Sequence, residues 1–511
     1  SSDARRTATT QAGTGAVLSN DTRSALLGID LGTTAVKAGV FDAASGEMLG
    51  VARSEYSPTS PREGWLELAG EEYWRAVVEA TREAHQSAGK PEVIGIGLSS
   101  QGETFLPLGA DQQPLYPAIV WLDTRAEAEA RRLNEMLDAD EMRLRHGSAI
   151  NAIDSAPKIL WLRENEPQVW GLTRHIVMLP DFIGLRLTGE LRLDVSNAGS
   201  TGMVDRGTGQ WWRAAVEAVG VPQEWLSPLG QAGEPIGRLT ATAAAELGLQ
   251  PGATVALGCN DQLAGAVGAG NVEPGIASGT AGTAMAIVAT TTACDDLPEG
   301  VLHGRHAVPG LHYLLTYAKT SSVVLTWLRD LTGGDYETLL TEAASVADGA
   351  DGLICLPHFS GTATPSFRSD VRGGFLGLTL GHGRPQMARA VVEAVCFCAR
   401  DALSLARECG QQIEELRMLG GATQSRWWMQ LMADVTDTRL TIPACSEAAV
   451  LGAAIFGGVA AGALESIEAA SRSFYRSADA HEPEPSRVEA YDAIYARYRE
   501  MMERVYPGAL G

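Results

Sequence analysis

The chain has 511 residues, 45% of them hydrophobic, which suits two large cores better than one. Its formal net charge of −22 excludes the basic surface that a nucleic-acid or anionic-membrane partner needs. Only four lysines occur, Lys37, Lys90, Lys158 and Lys319, so a phosphate ligand must be held by backbone N–H groups, a metal ion and a few local donors.

Residues 1–24 are rich in Ser, Thr and Ala and lack an apolar signal region, so they read as a disordered tail. Leu26–Asp42 places two apolar, β-rich runs around a Gly/Thr turn, the pattern of a hairpin, and Ser45–Tyr56 continues it as a third strand. Tyr73–His85 has helical spacing. Val93–Glu103 is an apolar strand running into a polar loop. Pro117–Arg125 repeats that pattern, a buried strand ending in Trp121, Asp123 and Arg125. Polar clusters at strand ends are how open α/β sheets build ligand sites. Glu127–Leu137 and Ile159–Glu164 are helical. Thr254–Gly270 reads as a strand, a short polar turn and a small-residue helix, with Asp261 at the helix start.

Near residue 271 the pattern restarts. Ile276–Val288 again sets a Gly/Thr turn between apolar runs, which divides the chain into domains at 25–270 and 271–511. A helix (Gln386–Glu408), a strand (Glu415–Leu419), a glycine turn (Gly420–Ala422) and a helix (Arg426–Asp434) follow. Ala448–Leu464 is mostly Ala and Gly and shorter than a membrane span requires, so it reads as a buried helix lying close on a sheet. Tyr491–Tyr506 is a charged helix packing on the second domain. The seven cysteines form no CxxC pair and fit reduced, mostly buried thiols in the cytoplasm.

Five groups of residues could carry chemistry. Asp30–Lys37, DLGTTAVK, combines a glycine that permits tight backbone geometry with hydroxyls on Thr33 and Thr34. Its amides can converge on phosphate oxygens, and Asp30 can hold Mg²⁺ through water. Ser278–Thr283, SGTAGT, repeats the chemistry, so two loops could clamp a triphosphate. Leu419–Ala422, LGGA, suits close approach of a nucleoside. Asp261 in GCNDQ could be a helix cap, or the carboxylate that takes a hydroxyl proton in phosphoryl transfer. Gln101, Glu103, Trp121, Asp123 and Arg125 form a polar set with an aromatic platform for a hydroxyl-rich ligand. Plain hairpins, a tight turn and solvated loops are the competing readings of each group. No GxxxxGK[ST], HExxH or GxSxG occurs. His303, His306 and His312 read as surface or hydrogen-bonded residues.

In order, DLGTT, SSQGE, WLD, an Asp–Gln pair, a second Gly/Thr hairpin and LGGA resemble the FGGY carbohydrate kinases, from about Leu26 to Leu464. Gly373–Glu393 and Ser155–Asn165 resemble that family's two signatures, with Ile153 departing from the usual residue. The resemblance implies two actin-like (ribonuclease H-like) α/β ATPase domains, each with a mixed sheet of the five-stranded type, around an inter-domain cleft. It implies a cytoplasmic kinase using ATP and Mg²⁺, with a small sugar as acceptor and room for a homodimer. By resemblance Asp261 is the catalytic aspartate. Gln101, Glu103, Trp121, Asp123 and Gln262 line the sugar site. Gly32, Thr33, Thr34 and Lys37, with Gly279, Thr280, Gly282 and Thr283, hold phosphates, Asp30 the metal, and Gly420, Gly421 and Ala422 the adenosine. The segments around WLDTR and APKILWLREN look most like xylulokinases. Gly102-Glu103 stands where those enzymes carry Met-His, and Gln262 where they carry Asn. Another ketose or a polyol (ribulose, glycerol, erythritol) therefore stays open, as does a non-catalytic actin-like nucleotide binder.

Overall fold

A computed structural model describes residues 24–292, 297 and 301–509; the expected tail lies almost wholly outside the described residues, as does Cys294. Strands β1 (Ser24–Leu31), β2 (Ala35–Asp42) and β3 (Met48–Glu55) form the expected antiparallel meander. Helix α1 (Gly70–Ser87) covers one face. Strand β4 (Glu92–Ser100) runs parallel to β1. Strand β6 (Thr254–Asn260) runs parallel to β4 and is edged by the antiparallel β5 (Pro235–Arg238), giving the order β5-β6-β4-β1-β2-β3. Helix α2 (Ser155–Asn165), within the long excursion between β4 and β5, is buried along most of its length. Helix α3 (Asp261–Gly268) leaves β6 directly.

The second sheet repeats this plan. Strands β7 (Ile276–Ala281) and β8 (Met285–Thr291) form the hairpin, and β9 (Leu302–Arg305) and β10 (His312–Ala318) extend it. Helix α4 (Arg384–Glu408) covers one face, and β11 (Glu415–Leu419) lies parallel to β7. Helix α5 (Arg426–Thr436), strand β12 (Arg439–Pro443), helix α6 (Ala448–Ala460), strand β13 (Ser477–His481) and helix α7 (Pro485–Val505) complete it, in the order β9-β10-β8-β7-β11-β12-β13. The sheets have six and seven strands rather than five, because antiparallel edge strands, β5 and β13, close the parallel side of each and β9 adds one more at the other edge of the second.

Tyr491, Tyr495 and Tyr498 of α7 sit in the second core. Helix α6 is buried on a sheet, but that sheet is the first one. Its fit depends on glycines: a Cβ on Gly28 or Gly97 would lie 1.9 Å from the carbonyl oxygen of Val450 or Ala453. No helix among the described residues is long and apolar enough to cross a membrane. Pro117–Arg125 departs from expectation. Only Ala118–Ile119 is strand, in a separate sheet with Glu67–Leu68, Phe105–Leu108 and His175–Met178. The residues that follow turn away to satisfy Asp123.

Candidate active site

Each hairpin turn and the α3 start lie at the same end of their sheets, where a cleft of about 1080 Å³ opens between the two halves. Asp261 lines it, together with Thr33, Glu103 and Trp121 of the first half and Thr280 of the second. The cap of α3 is not Asp261 but Asn260, whose side-chain oxygen accepts the Gln262 N–H at 3.0 Å. The Asp261 carboxylate is thus free of that duty. The Gln262 side-chain amide donates to it at 3.3 Å. Burial and the nearby charge of Asp30 push its carboxyl up to about 7, against the Gln262 donors that favour the ionised form.

Asp30, the next-to-last residue of β1, accepts the Ser99 hydroxyl at 2.7 Å. Burial raises its pKa too. Gly32 closes the turn with an N–H to Ala35 at 3.0 Å. Its carbonyl is tied down by the Tyr56 hydroxyl and by the Gln101 side-chain amide at 2.9 Å. The Trp121 indole donates to the Thr33 hydroxyl at 2.8 Å, so the aromatic platform and the first loop are one unit. Thr34 is exposed at the tip. Lys37 does not reach the cleft wall: its ammonium pairs with Glu447 at 2.6 Å, beside the start of α6. Its register, two residues into the outgoing strand, carries it there.

On the second hairpin Thr280 faces the cleft, and Gly282 and Thr283 form the tip, with a Gly282 N–H to Ala284 at 2.9 Å. Gly279 lies inside β7, where a Cβ would meet the Met418 sulfur at 2.7 Å; it serves packing, contrary to the expected phosphate contact. Gly420 has φ +94°, and a Cβ there would meet the Ala281 carbonyl oxygen at 2.8 Å. The glycine turn therefore sits against the hairpin tip. Gly421 is exposed beside it, while Ala422 points into the core.

At the far end, Glu103 holds φ +52°, kept there by its N–H to Ser200 at 3.1 Å and by the Ser155 hydroxyl on its carbonyl at 2.8 Å. Burial, then Asp154, raise its carboxyl well above the ordinary range, while Lys158 and Arg206 oppose the shift. Asp123 corrects the sequence expectation. Its fully buried carboxylate is consumed by Arg125, at 2.7 and 2.9 Å, and by the Leu66 N–H at 2.5 Å. Arg125 in turn stacks 3.8 Å over the Trp65 ring and pairs with Glu67 at 2.8 Å. Asp123 therefore braces the loop and does not line the cleft.

Sequence reasoning passed over Asp154, His146, Arg206, His303 and Lys319, all on the cleft wall, and Lys158 beneath it. A lysine inside the apolar run of α2 was a legible signal for the last; its ammonium donates to the Trp121 carbonyl at 3.2 Å. His303 and His306 were expected at the surface or hydrogen-bonded; His303 lies on the cleft wall, His306 accepts the Val308 N–H at 3.0 Å, and burial pushes both down to about 4. Among the described residues no three His, Cys, Asp or Glu side chains form a ready metal cage.

Residues 25–268 match the N-terminal domain, and residues 275–461 the C-terminal domain, of the FGGY family of carbohydrate kinases. A xylulose kinase of Lactococcus lactis is 28% identical over 484 residues, covering 93% of this chain and 96% of its own. A gluconokinase of Bacillus subtilis is 27% identical over 465 residues, covering 88% and 90%. The crystal structure of a xylulose kinase from Rhodospirillum rubrum superposes with a TM-score of 0.87 at 27% identity, over 94% of this chain and 99% of that one.

Proposed function

This chain belongs to the FGGY family of carbohydrate kinases, and from that premise we propose that it moves the terminal phosphoryl group of ATP to a hydroxyl of a pentulose such as D-xylulose. The observation that carries the reading is Asp261: a carboxylate relieved of capping by Asn260, in a cleft shared with Thr33 and Thr280. It accepts the proton of the acceptor hydroxyl. Its carboxyl, at about 7, is matched to neutral pH, where a general base works best.

Glu103, Trp121 and Gln262 line the sugar end, and Gln101 orients the first loop. The amides of residues 33, 34 and 283, with the Thr33 and Thr280 hydroxyls, face the phosphates, while the Gly32 and Gly282 N–H groups close the two turns. The Gly420–Gly421 turn takes the adenosine. The Asp30 charge raises the cost of ionising Asp261, and hard carboxylate oxygens of that kind suit Mg²⁺. The Asp30 carboxylate would hold it, and the ion supplies neutralisation of phosphate charge. Closure of the two halves excludes water from the transfer.

A second reading, another ketose or a short polyol, is favoured by Glu103, whose carboxyl at the sugar end offers a hydrogen-bond partner to a further hydroxyl. ATP consumption against a panel of ketoses, polyols and aldonates tests both. Strongest stimulation by D-xylulose is expected; strongest stimulation by a polyol selects the second reading. Stimulation by no sugar or polyol would instead point to a non-catalytic nucleotide binder.

A further inference from the structure

Strand β10 brings a cation to the cleft that no motif announced. Tyr313, Leu315, Tyr317 and Lys319 alternate along the strand and its end, and all line the cleft, while Leu314 faces the opposite core. That is the period-two pattern of a strand with one face on the site. Met285 pairs with Ala318, and the Ser321 N–H reaches the Thr283 carbonyl at 2.9 Å. Lys319 is therefore beside the tip of the second Gly/Thr hairpin.

The other lysines are accounted for. Lys37 pairs with Glu447, Lys158 donates to Trp121 and Lys90 is exposed. Among the described residues, no hydrogen bond or ion pair reaches the Lys319 ammonium, which is half-buried. Burial lowers its pKa, with no neighbouring carboxylate to oppose the shift. In a chain of net charge −22, a partly desolvated cation with no acidic partner carries a cost that a transient anion offsets.

We propose that Lys319 contacts the terminal phosphate of the nucleotide from the second half of the chain and stabilises its charge during transfer. This rests on the ATP-dependent reading above. The bond from the acceptor oxygen to phosphorus forms as the bond to the leaving diphosphate oxygen breaks. The acceptor proton goes to Asp261, and Lys319 keeps its own protons throughout. Position favours the phosphate over an acidic group of the sugar, because the residue is tethered to the hairpin tip and not to the Glu103 end.

The test compares wild type with Lys319→Met, Lys319→Gln and Lys319→Arg. Calorimetric titration without sugar should show MgATP affinity falling about tenfold in the Met and Gln variants, with MgADP affinity changed less than about twofold. Turnover should fall on the order of 10²-fold, with sugar KM little changed, and Arg should restore most of both losses. Equal loss for MgATP and MgADP would overturn the assignment. So would unchanged MgATP affinity with a raised sugar KM, which would make the partner an acidic group on the acceptor. A wild type that binds MgATP yet phosphorylates no sugar defeats the kinase reading and leaves the binding comparison standing.

Discussion

Replacing Asp261 with Asn separates the cost of the carboxylate from its use. The variant keeps shape, keeps the acceptor for the Gln262 amide, and leaves the helix cap with Asn260. Its carboxyl rises from the usual 3.8 to about 7 in the folded chain, so between those values the native state binds more protons than the unfolded state. Stability therefore falls as pH rises through that window and is level above it. The span corresponds to roughly 4 kcal/mol at most, at about 1.4 kcal/mol per tenfold. The amide also loses water on burial, so about 2 kcal/mol is the gain expected from Asp261→Asn at pH 8. Urea unfolding at pH 8 and pH 4 measures it, with the gain vanishing near pH 4. Turnover should drop about 10²–10⁴-fold, and the wild-type rate should climb with pH to a plateau above about 7. A variant that turns over normally, or is less stable than wild type at pH 8, refutes the argument.

Asp123→Asn takes one of two carboxylate partners from the buried Arg125 guanidinium, leaving it Glu67 at 2.8 Å, and should cost about 1.5–3 kcal/mol. Thermal unfolding should register this, while the sugar KM of the folded fraction stays near normal; a KM effect without a stability loss would return Asp123 to the sugar site. Gly97→Ala drives a methyl to within 1.9 Å of the Ala453 carbonyl oxygen and should destabilise by about 1–3 kcal/mol or more. Because α6 joins the two halves, both should unfold together in calorimetry, and a neutral effect would mean that the seam is looser than the structure shows.

Much of the site was legible because its parts are local. A Gly/Thr turn between two apolar runs is a hairpin wherever it occurs, and Asp261 stands where a strand pattern meets a helix pattern. Asp123 and Asp261 look alike in sequence, each a carboxylate after an apolar run. Only the third dimension separates them, by giving one a buried arginine and the other an open cleft.

Sequence by itself determined the two hairpins, the strand–helix junction that presents Asp261 and the repeated plan of the halves, since side-chain periodicity acts over neighbouring residues. Tertiary structure decided what each polar group meets. Lys37 finds Glu447 across 410 positions, α6 crosses to the first sheet because glycines there let backbones touch, and Lys319 enters the cleft through strand pairing. Contact partners of this kind depend on packing between distant segments, which no local pattern encodes.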